Sequence, residues 1–424
     1  MSRREPEARR VVITGLGATT PAGVGRDALW QAIVEGRSCE CLLPEHDHFE
    51  MNCKIFAVVP GFDPIASGLD PEVVARNDRV GHLALVTARE AWEHSGLTRD
   101  AIDPDRAGVN IGTAVAGSMT MESAWVEVTE RGTKALDGST VPHLAQAFSP
   151  VAAALEVATH FGFRGPVLAT STGCTAGLDS IGNAWRTIRE GEADVMIAGA
   201  SEAPLTPIAI SAFDVIQAIT RKPKEAVGTA SAPFSADRDG FILSEGCGLV
   251  VLEEYEHARR RGARILAEIL SYASTSNAYH MTGLPPDGLD LARAIALSIQ
   301  GAGIKPSDID YVNAHGSSTL QNDRNETAAF HLTLGATAES TPVSSLKSIL
   351  GHPLGAASSI EIVASVQSML EGFLIPTINY RRRADDCDLD YVPNHGRKAE
   401  IKCVLSDCSG FSGLHSSIVL SAHP

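Results

Sequence analysis

The sequence predicts an α/β protein with buried parallel or mixed sheets. Short, nearly continuous apolar runs recur along the chain without polar alternation, as expected of strands covered on both faces. Longer segments with apolar residues at helical spacing lie between them. The 424 residues allow one large or two medium domains with a substantial core.

In chain order, VVITGLG at 11–17 reads as a strand running into a glycine turn. HLALVTAREAWEHSGL at 82–97 reads as a helix, with Leu83, Leu85, Ala88 and Trp92 near one face and Gly96 at its end. AGVNIGTA at 107–114, GPVLATS at 165–171, ADVMIAGAS at 193–201 and CGLVVLEEY at 247–255 read as strands. IDYVNAHG at 309–316 is another. EEYEHARRRGARILAEI reads as a charged helical stretch near 255–265, and the division between two halves, 1–257 and 258–424, falls there. No Pro/Ser-rich linker marks it, so the halves are expected to pack as one body. A faint repeat supports two related halves. Gly173-Cys174-x-x-Gly177, a helix-like run and Glu190-Gly191 correspond to Gly351-His352-x-x-Gly355, a helix-like run and Glu371-Gly372. Chance remains the alternative for two such short matches.

Composition narrows the function. The formal net charge of −16 argues against general nucleic-acid binding. Local basic patches exist at Arg221, Lys222 and Lys224 and at Arg381, Arg382 and Arg383, although each also suits a solvated loop. No apolar stretch is long enough for a membrane span, and no secretory leader is visible. The eight cysteines are scattered and do not resemble a disulfide framework, which suggests a reducing cytoplasm. Cys39 and Cys41 lie close to His46 and His48, but that spacing is not the usual one for zinc and no second pair is near. No bound metal is expected.

Three separated turns carry chemistry. The run 175–190 has Leu178, Ile181, Trp185 and Ile188 on one face, which places Cys174 at the first turn of a helix. Free N–H groups at a helix N-terminus favour an anion and would shift a thiol toward thiolate. The flanking Gly173 and Gly177 fit the logic of a nucleophile elbow. A small buried core residue is the alternative. His315 follows a strand in YVNAHGSST, and His352 precedes a small-residue helix in KSILGHPLG. One such histidine is commonly structural, but two beside a cysteine meet the minimum for covalent acyl chemistry. Lys347 and Glu326 are candidates for a buried pair that orients the site. The turn Ser409-Gly410-Phe411-Ser412-Gly413 suits a backbone N–H aimed at an oxyanion, with the Phe411 ring as cover.

Together, Gly173-Cys174, Asn313-Ala314-His315-Gly316, Lys347-Ser348-x-x-Gly351-His352 and Gly410-Phe411-x-Gly413 resemble the motifs of β-ketoacyl-[acyl-carrier-protein] synthases of the condensing-enzyme family. RRVVITGLGATTPAG, SAPFSADRDGFILSEGCG and PTINY with CDLDYVPN match as well, so the resemblance runs from about residue 9 to 421. HGSSTLQNDRNETAA and SGFSGLHSSIVL are most similar to ketosynthase-alpha subunits of type II polyketide synthases. A fatty-acid elongating homodimer is the alternative, but such enzymes usually read Thr-Asn where this chain has Leu414-His415.

The resemblance implies a thiolase-type fold: two βαβαβαββ halves stacked as five αβαβα layers. It implies no bound cofactor, with substrates on the phosphopantetheine arm of an acyl carrier protein. For the polyketide branch it implies a heterodimer with a chain-length-factor homologue that lacks the cysteine. By the same resemblance Cys174 carries the acyl chain, and the amides of Cys174 and Phe411 form the oxyanion hole. His315 and His352 hold the malonyl thioester carbonyl, while Lys347 and Glu326 order the site from behind. Gly410, Phe411, Ser412 and Gly413 form a gating loop. Arg221, with Lys222, faces the carrier protein. Val115, Met119 and Phe213 are candidates for the acyl pocket lining.

Two departures stand out. Ser412 replaces a common glycine, and a serine at φ > 0 would carry strain. Pro353 follows His352 but is tolerated in a first helical turn. A cysteine hydrolase lacks its local signatures here. A thiolase would want a second cysteine near the C-terminus, which Cys403 or Cys408 offers, but the two histidines argue against it.

Overall fold

The computed structural model describes residues 9–43, 51–136 and 143–422. The first half runs β1 (Val11–Thr20), α1 (Arg79–Ser95), β2 (Ala107–Gly112), α2 (Ala152–Phe161), β3 (Val167–Leu168), α3 (Ala176–Arg189), β4 (Val195–Glu202) and β5 (Gly246–Glu254). The second repeats that order as β6 (Ala267–Ser276), α4 (Leu289–Ala302), β7 (Tyr311–Asn313), α5 (Leu320–Leu334), β8 (Val343–Ser344), α6 (Ala357–Glu371), β9 (Cys403–Ser409) and β10 (Leu414–Ser421). Shorter strands and further helices fill the connections.

Strand pairing repeats too. β1 runs antiparallel to β5 and β5 antiparallel to β4, while β4 is parallel to β2 and β2 to β3. In the same pattern β6 is antiparallel to β10 and β10 to β9, with β9 parallel to β7 and β7 to β8. The two sets join where β1 meets β6, through Val11↔Ile269, Val12↔Glu268 and Ile13↔Ala267. The proposed division at 258 falls in the connection between β5 and β6.

Side-chain alternation sorts the chain into layers. In β4, Val195 and Ile197 pack outward with Leu83 and Ala88 of α1 and Val157 of α2. Met196 and Ala198 face the opposite way, onto Leu178 and Ile181 of α3 and Ile360 and Val363 of α6. In the second half, Leu291 and Ile295 of α4 and Phe330 of α5 cover Val312, Leu405 and Val419. Helix, sheet, paired central helices, sheet and helix therefore stack as five layers, the thiolase-type arrangement. Strands covered on both faces account for the unbroken apolar runs.

Two local expectations are corrected. β1 does not turn at its glycines but continues to Thr20. A Cβ at Gly15 would lie 2.1 Å from the Ala91 carbonyl oxygen, and one at Gly17 would lie 2.3 Å from that of Thr87. These glycines let α1 press against the strand. The charged stretch after β5 is helical only over Tyr255–Arg260. Gly262 takes φ 69°, and Ala267 already belongs to β6. Paired between β1 and β10, β6 buries Ala267 and Ile269, and that burial overrides the local helical pattern.

Candidate active site

Cys174 sits in a single 3-10 turn, Gly173–Thr175, that leads into α3. The turn equivalent to Gly173–Thr175 in the second half is Leu354–Ala356, which leads into α6 three residues beyond the register the sequence repeat suggests. Gly173 takes φ 66° and Gly351 takes φ 71°. Both take the left-handed conformation that glycine adopts without strain. The next glycines of the repeat meet across the central layer: a Cβ at Gly177 would lie 2.9 Å from the Gly355 carbonyl oxygen. The buried Asp179 carboxylate pins the Cys174 turn. It accepts from Thr172 Oγ1 (2.5 Å), Thr175 Oγ1 (2.8 Å), the Tyr272 hydroxyl (2.7 Å) and Ser416 Oγ.

His315 follows β7, and His352 lies between the short helix Lys347–Leu350 and α6. Their rings are 5.2 Å apart, edge to face. The Lys347 ammonium donates to the His315 carbonyl oxygen at 2.6 Å, and Cys408 Sγ lies 3.2 Å from His315 Nδ1. The His352 N–H donates to the Ile242 carbonyl oxygen at 2.7 Å, and its ring packs 5.0 Å from that of Phe241. His352 Nδ1 has no partner among the described residues. Cys174, His315 and His352 line one cavity together with Phe241, Phe411 and the Ser409-Gly410 backbone. Three distant segments thus deliver one sulfur and two imidazoles to the same space.

Electrostatics set the resting state. Burial, reinforced by the Lys347 charge, holds both imidazoles well below their usual pKa. Each ring is therefore neutral near pH 7 and has one N–H to donate. Burial pushes the Cys174 thiol up to about 11, against the opposing pull of Lys347 and of the Phe411 and Cys174 N–H groups that face the sulfur. The sequence expectation of a shift toward thiolate is overturned, because desolvation outweighs the helix N-terminus. Iodoacetamide alkylation of Cys174, followed by mass spectrometry of its peptide, should accelerate about tenfold per pH unit from 7 to 9. A plateau in that range would contradict a protonated resting thiol.

The Lys347–Glu326 pair does not form. Lys347 bonds Glu361 of α6 at 2.5 Å, and both side chains are buried. Glu326 accepts from the Gly316 N–H at 2.8 Å and from Asn322 Nδ2 at 3.1 Å. Burial, with the neighbouring Asp407 carboxyl, raises Glu326 well above the carboxylate range. Glu361, Asp407 and Asp179 are not among the residues the sequence points to, and Cys408 appears there only as a possible thiolase-type second cysteine. Glu361 is the one acid in a run of small and apolar residues, and that was the available clue.

The remaining candidates divide. Phe411 stacks on Phe213 with ring centroids 6.2 Å apart, and Val115 packs in the same apolar cluster. Neither Phe213 nor Val115 lines the cavity around Cys174. Met119 lines a separate cleft with Glu122, Val126, Leu205 and Pro207. In the 410–413 loop Gly413 is left-handed, with φ 70°, and a Cβ at Gly410 would lie 3.7 Å from the Cys174 nitrogen. The side chain of Ser412 lies outside the described residues. Arg221 is half-exposed and donates to the Asp214 carbonyl oxygen at 3.2 Å. Lys222 is largely buried and donates to the Ala230 carbonyl oxygen at 2.9 Å. His46 and His48 lie outside the described residues, within which no cluster of three potential metal ligands occurs. Among those residues no helix is long and apolar enough to cross a membrane.

The chain is similar in sequence and fold to known proteins. Residues 8–258 match the family model of the β-ketoacyl synthase N-terminal domain, and residues 266–381 match that of the C-terminal domain. The tetracenomycin polyketide synthase ketoacyl synthase alpha subunit of Streptomyces glaucescens is 44% identical over 97% of this chain and 97% of its own length. One solved structure is a type II polyketide synthase acyl-carrier protein in complex with its ketosynthase bound to the hexaketide. It aligns with a TM-score of 0.91 and 42% identity over 98% of this chain and 100% of that one. The ishigamide ketosynthase/chain length factor aligns with a TM-score of 0.90 and 31% identity, over 99% of this chain and 100% of that one. With both halves of the family matched and the fold shared along the whole length, the chain belongs to the β-ketoacyl synthase family.

Proposed function

We propose that this chain is the ketosynthase-alpha subunit of a type II polyketide synthase, an acyltransferase that elongates an acyl chain by decarboxylative condensation. The observation that carries the reading is the single cavity shared by Cys174, His315 and His352. In the first step the Cys174 sulfur attacks the thioester carbonyl of an acyl carrier protein. A new C–S bond forms, the phosphopantetheine C–S bond breaks, and the Cys174 proton ends on the departing thiol. The N–H groups of Cys174 and Phe411, which already face the sulfur, suit the developing oxyanion.

Malonyl-carrier protein binds next. Its thioester oxygen accepts from an N–H of His315 and one of His352, and neutral rings can supply both. Loss of carbon dioxide leaves the bonding pair in an enolate held by those two donors. The carbanion attacks the acyl-Cys174 carbonyl, the C–S bond breaks, and Cys174 leaves as thiolate. The product is a β-ketoacyl-carrier protein two carbons longer, and the step needs no bound cofactor. A single oxyanion donor is worth about 3–4 kcal/mol. Lys347 keeps the histidines neutral and anchors the His315 backbone, while Glu326 holds the turn after it. Phe411 gates entry between the two steps.

Arg221 is the carrier-protein contact favoured by exposure, with the more buried Lys222 in support. A chain-length-factor homologue is the dimer partner. Eight free cysteines fit the reducing cytoplasm.

The test is to combine the chain with its chain-length-factor homologue, carrier protein and malonyl donor, then weigh the carrier-bound products. Two-carbon extensions that need both chains are the expected result. An equal yield from this chain alone would support the fatty-acid homodimer instead, and no extension at all would end the condensing assignment.

A further inference from the structure

β9 delivers Cys408 to a position behind His315. The side chain is fully buried and does not line the cavity, so it cannot touch substrate there. Its sulfur lies 3.2 Å from His315 Nδ1 and 3.2 Å from the Cys174 carbonyl oxygen. A thiol has one proton to give, so the two acceptors compete for it. The Cys174 carbonyl already accepts from Ser358 Oγ at 3.3 Å. Among the described residues, Cys408 is the hydrogen-bond partner of His315 Nδ1. If Nδ1 carried the ring proton it would have to donate to sulfur, a weak acceptor, and Nε2 would be left bare.

We propose that Cys408 is a positioning residue whose thiol donates to His315 Nδ1 and fixes the imidazole in its Nε2–H tautomer. This rests on the reading of His315 as a donor to the enolate oxygen, and it supplies the proton that reading requires on the correct nitrogen. The two tautomers of a neutral imidazole differ little in energy, and the bond made by one nitrogen decides where the other stands. Burial keeps the Cys408 thiol protonated and so able to donate. The ring also lacks the option of carrying both protons, because Lys347 and burial hold it neutral. This role differs from that of a second catalytic cysteine, which would have to open onto the reacting atoms.

The direct test is nitrogen magnetic resonance on the full-length chain carrying ring-labelled histidine. The His315 signals are identified by their loss in His315→Gln. The expected spectrum shows an unprotonated Nδ1 and a protonated Nε2. Cys408→Ser, which keeps a donor, should retain that pattern, and Cys408→Ala should give a mixture of tautomers. A protonated Nδ1 in the parent, or an unchanged spectrum in Cys408→Ala, would overturn the assignment.

Activity gives a second readout. In a Cys174→Gln background, Cys408→Ala should slow malonyl decarboxylation about tenfold, and Cys408→Ser should restore most of it. Acyl transfer to Cys174, measured with Cys174 intact, should change less than about twofold. Equal losses from the Ala and Ser variants would reduce Cys408 to a packing residue. A Cys174→Gln protein that releases no carbon dioxide would instead count against the role of His315, and the spectra would still decide the tautomer.

Discussion

Cys174→Ala should abolish the acyl-enzyme and reduce condensation by at least about 10⁴-fold, the scale on which loss of a covalent nucleophile acts. The loss should be chemical and not structural. Asp179, Thr172, Thr175 and Tyr272 hold the turn by side chains other than the cysteine. Intact mass spectrometry after incubation with acyl-carrier protein provides the measurement, and a persistent adduct on the variant would rule out Cys174 as the attachment point. Cys174→Gln separates the half-reactions. Its carboxamide oxygen can lie where the thioester oxygen would, against the N–H groups of Phe411 and residue 174. It cannot accept an acyl group, but His315 and His352 remain in place. Release of carbon dioxide from malonyl-carrier protein should therefore continue without condensation. If decarboxylation stopped as well, the two histidines and the cysteine could not be assigned to separate steps.

Much of this site was readable because its residues interrupt a simple local pattern. A cysteine and two histidines, each beside glycine at the end of an apolar run, have no place in an amphipathic helix or a plain strand. The repeated spacing of Gly173-Cys174-x-x-Gly177 and Gly351-His352-x-x-Gly355 lies three residues out of the structural register, in which the Gly173–Thr175 turn before α3 corresponds to the Leu354–Ala356 turn before α6. The unbroken apolar strands also declared themselves, because β4 buries alternate residues on opposite layers. What escaped was decided across the sheet. Gly15 and Gly17 look like a turn until α1 is laid over them. The segment after Gly262 carries helix-forming residues, yet its pairing with β1 and β10 makes it a strand. Lys347 lies twenty-one residues from Glu326 and fourteen from Glu361, and spacing alone cannot choose between two acids on different helices. Cys408 drew notice only as a cysteine near the C-terminus, since a buried thiol in a strand is ordinary until a histidine ring lies beside it.

Lys347→Met should be the most damaging substitution outside the nucleophile, and its effects should separate into two parts. The ammonium is buried, donating to Glu361 and to the His315 carbonyl oxygen. Removing it leaves the Glu361 carboxylate without its cation in the core, which costs about 3–5 kcal/mol. Burial works against the Lys347 charge, but Glu361 and the other anions around it raise its folded pKa above the ordinary lysine value. Its stabilising contribution is therefore fully present below the unfolded lysine pKa and is lost only as pH rises through the folded one. Burial already raises the Glu361 carboxyl to about 7 beside Lys347, so without the cation it takes up a proton more readily, and the deficit of the variant should grow as pH rises above 7. Denaturant unfolding of parent and variant measures it, and a difference below about 1 kcal/mol would show that the pair is not holding the core. Adding Glu361→Gln removes the stranded charge and should recover most of the stability. It should not restore the reaction's pH dependence. Lys347 lowers the pKa of both His315 and His352, so without it both rise and imidazolium forms at higher pH. A ring that gains a second proton becomes a cation beside the malonyl group, and the proton balance of the two-donor site is lost. The acid limb of decarboxylation should therefore move upward in both Lys347 variants. A double variant that regains stability and keeps the parent pH profile would leave Lys347 as scaffold alone, with no hand in keeping the imidazoles neutral.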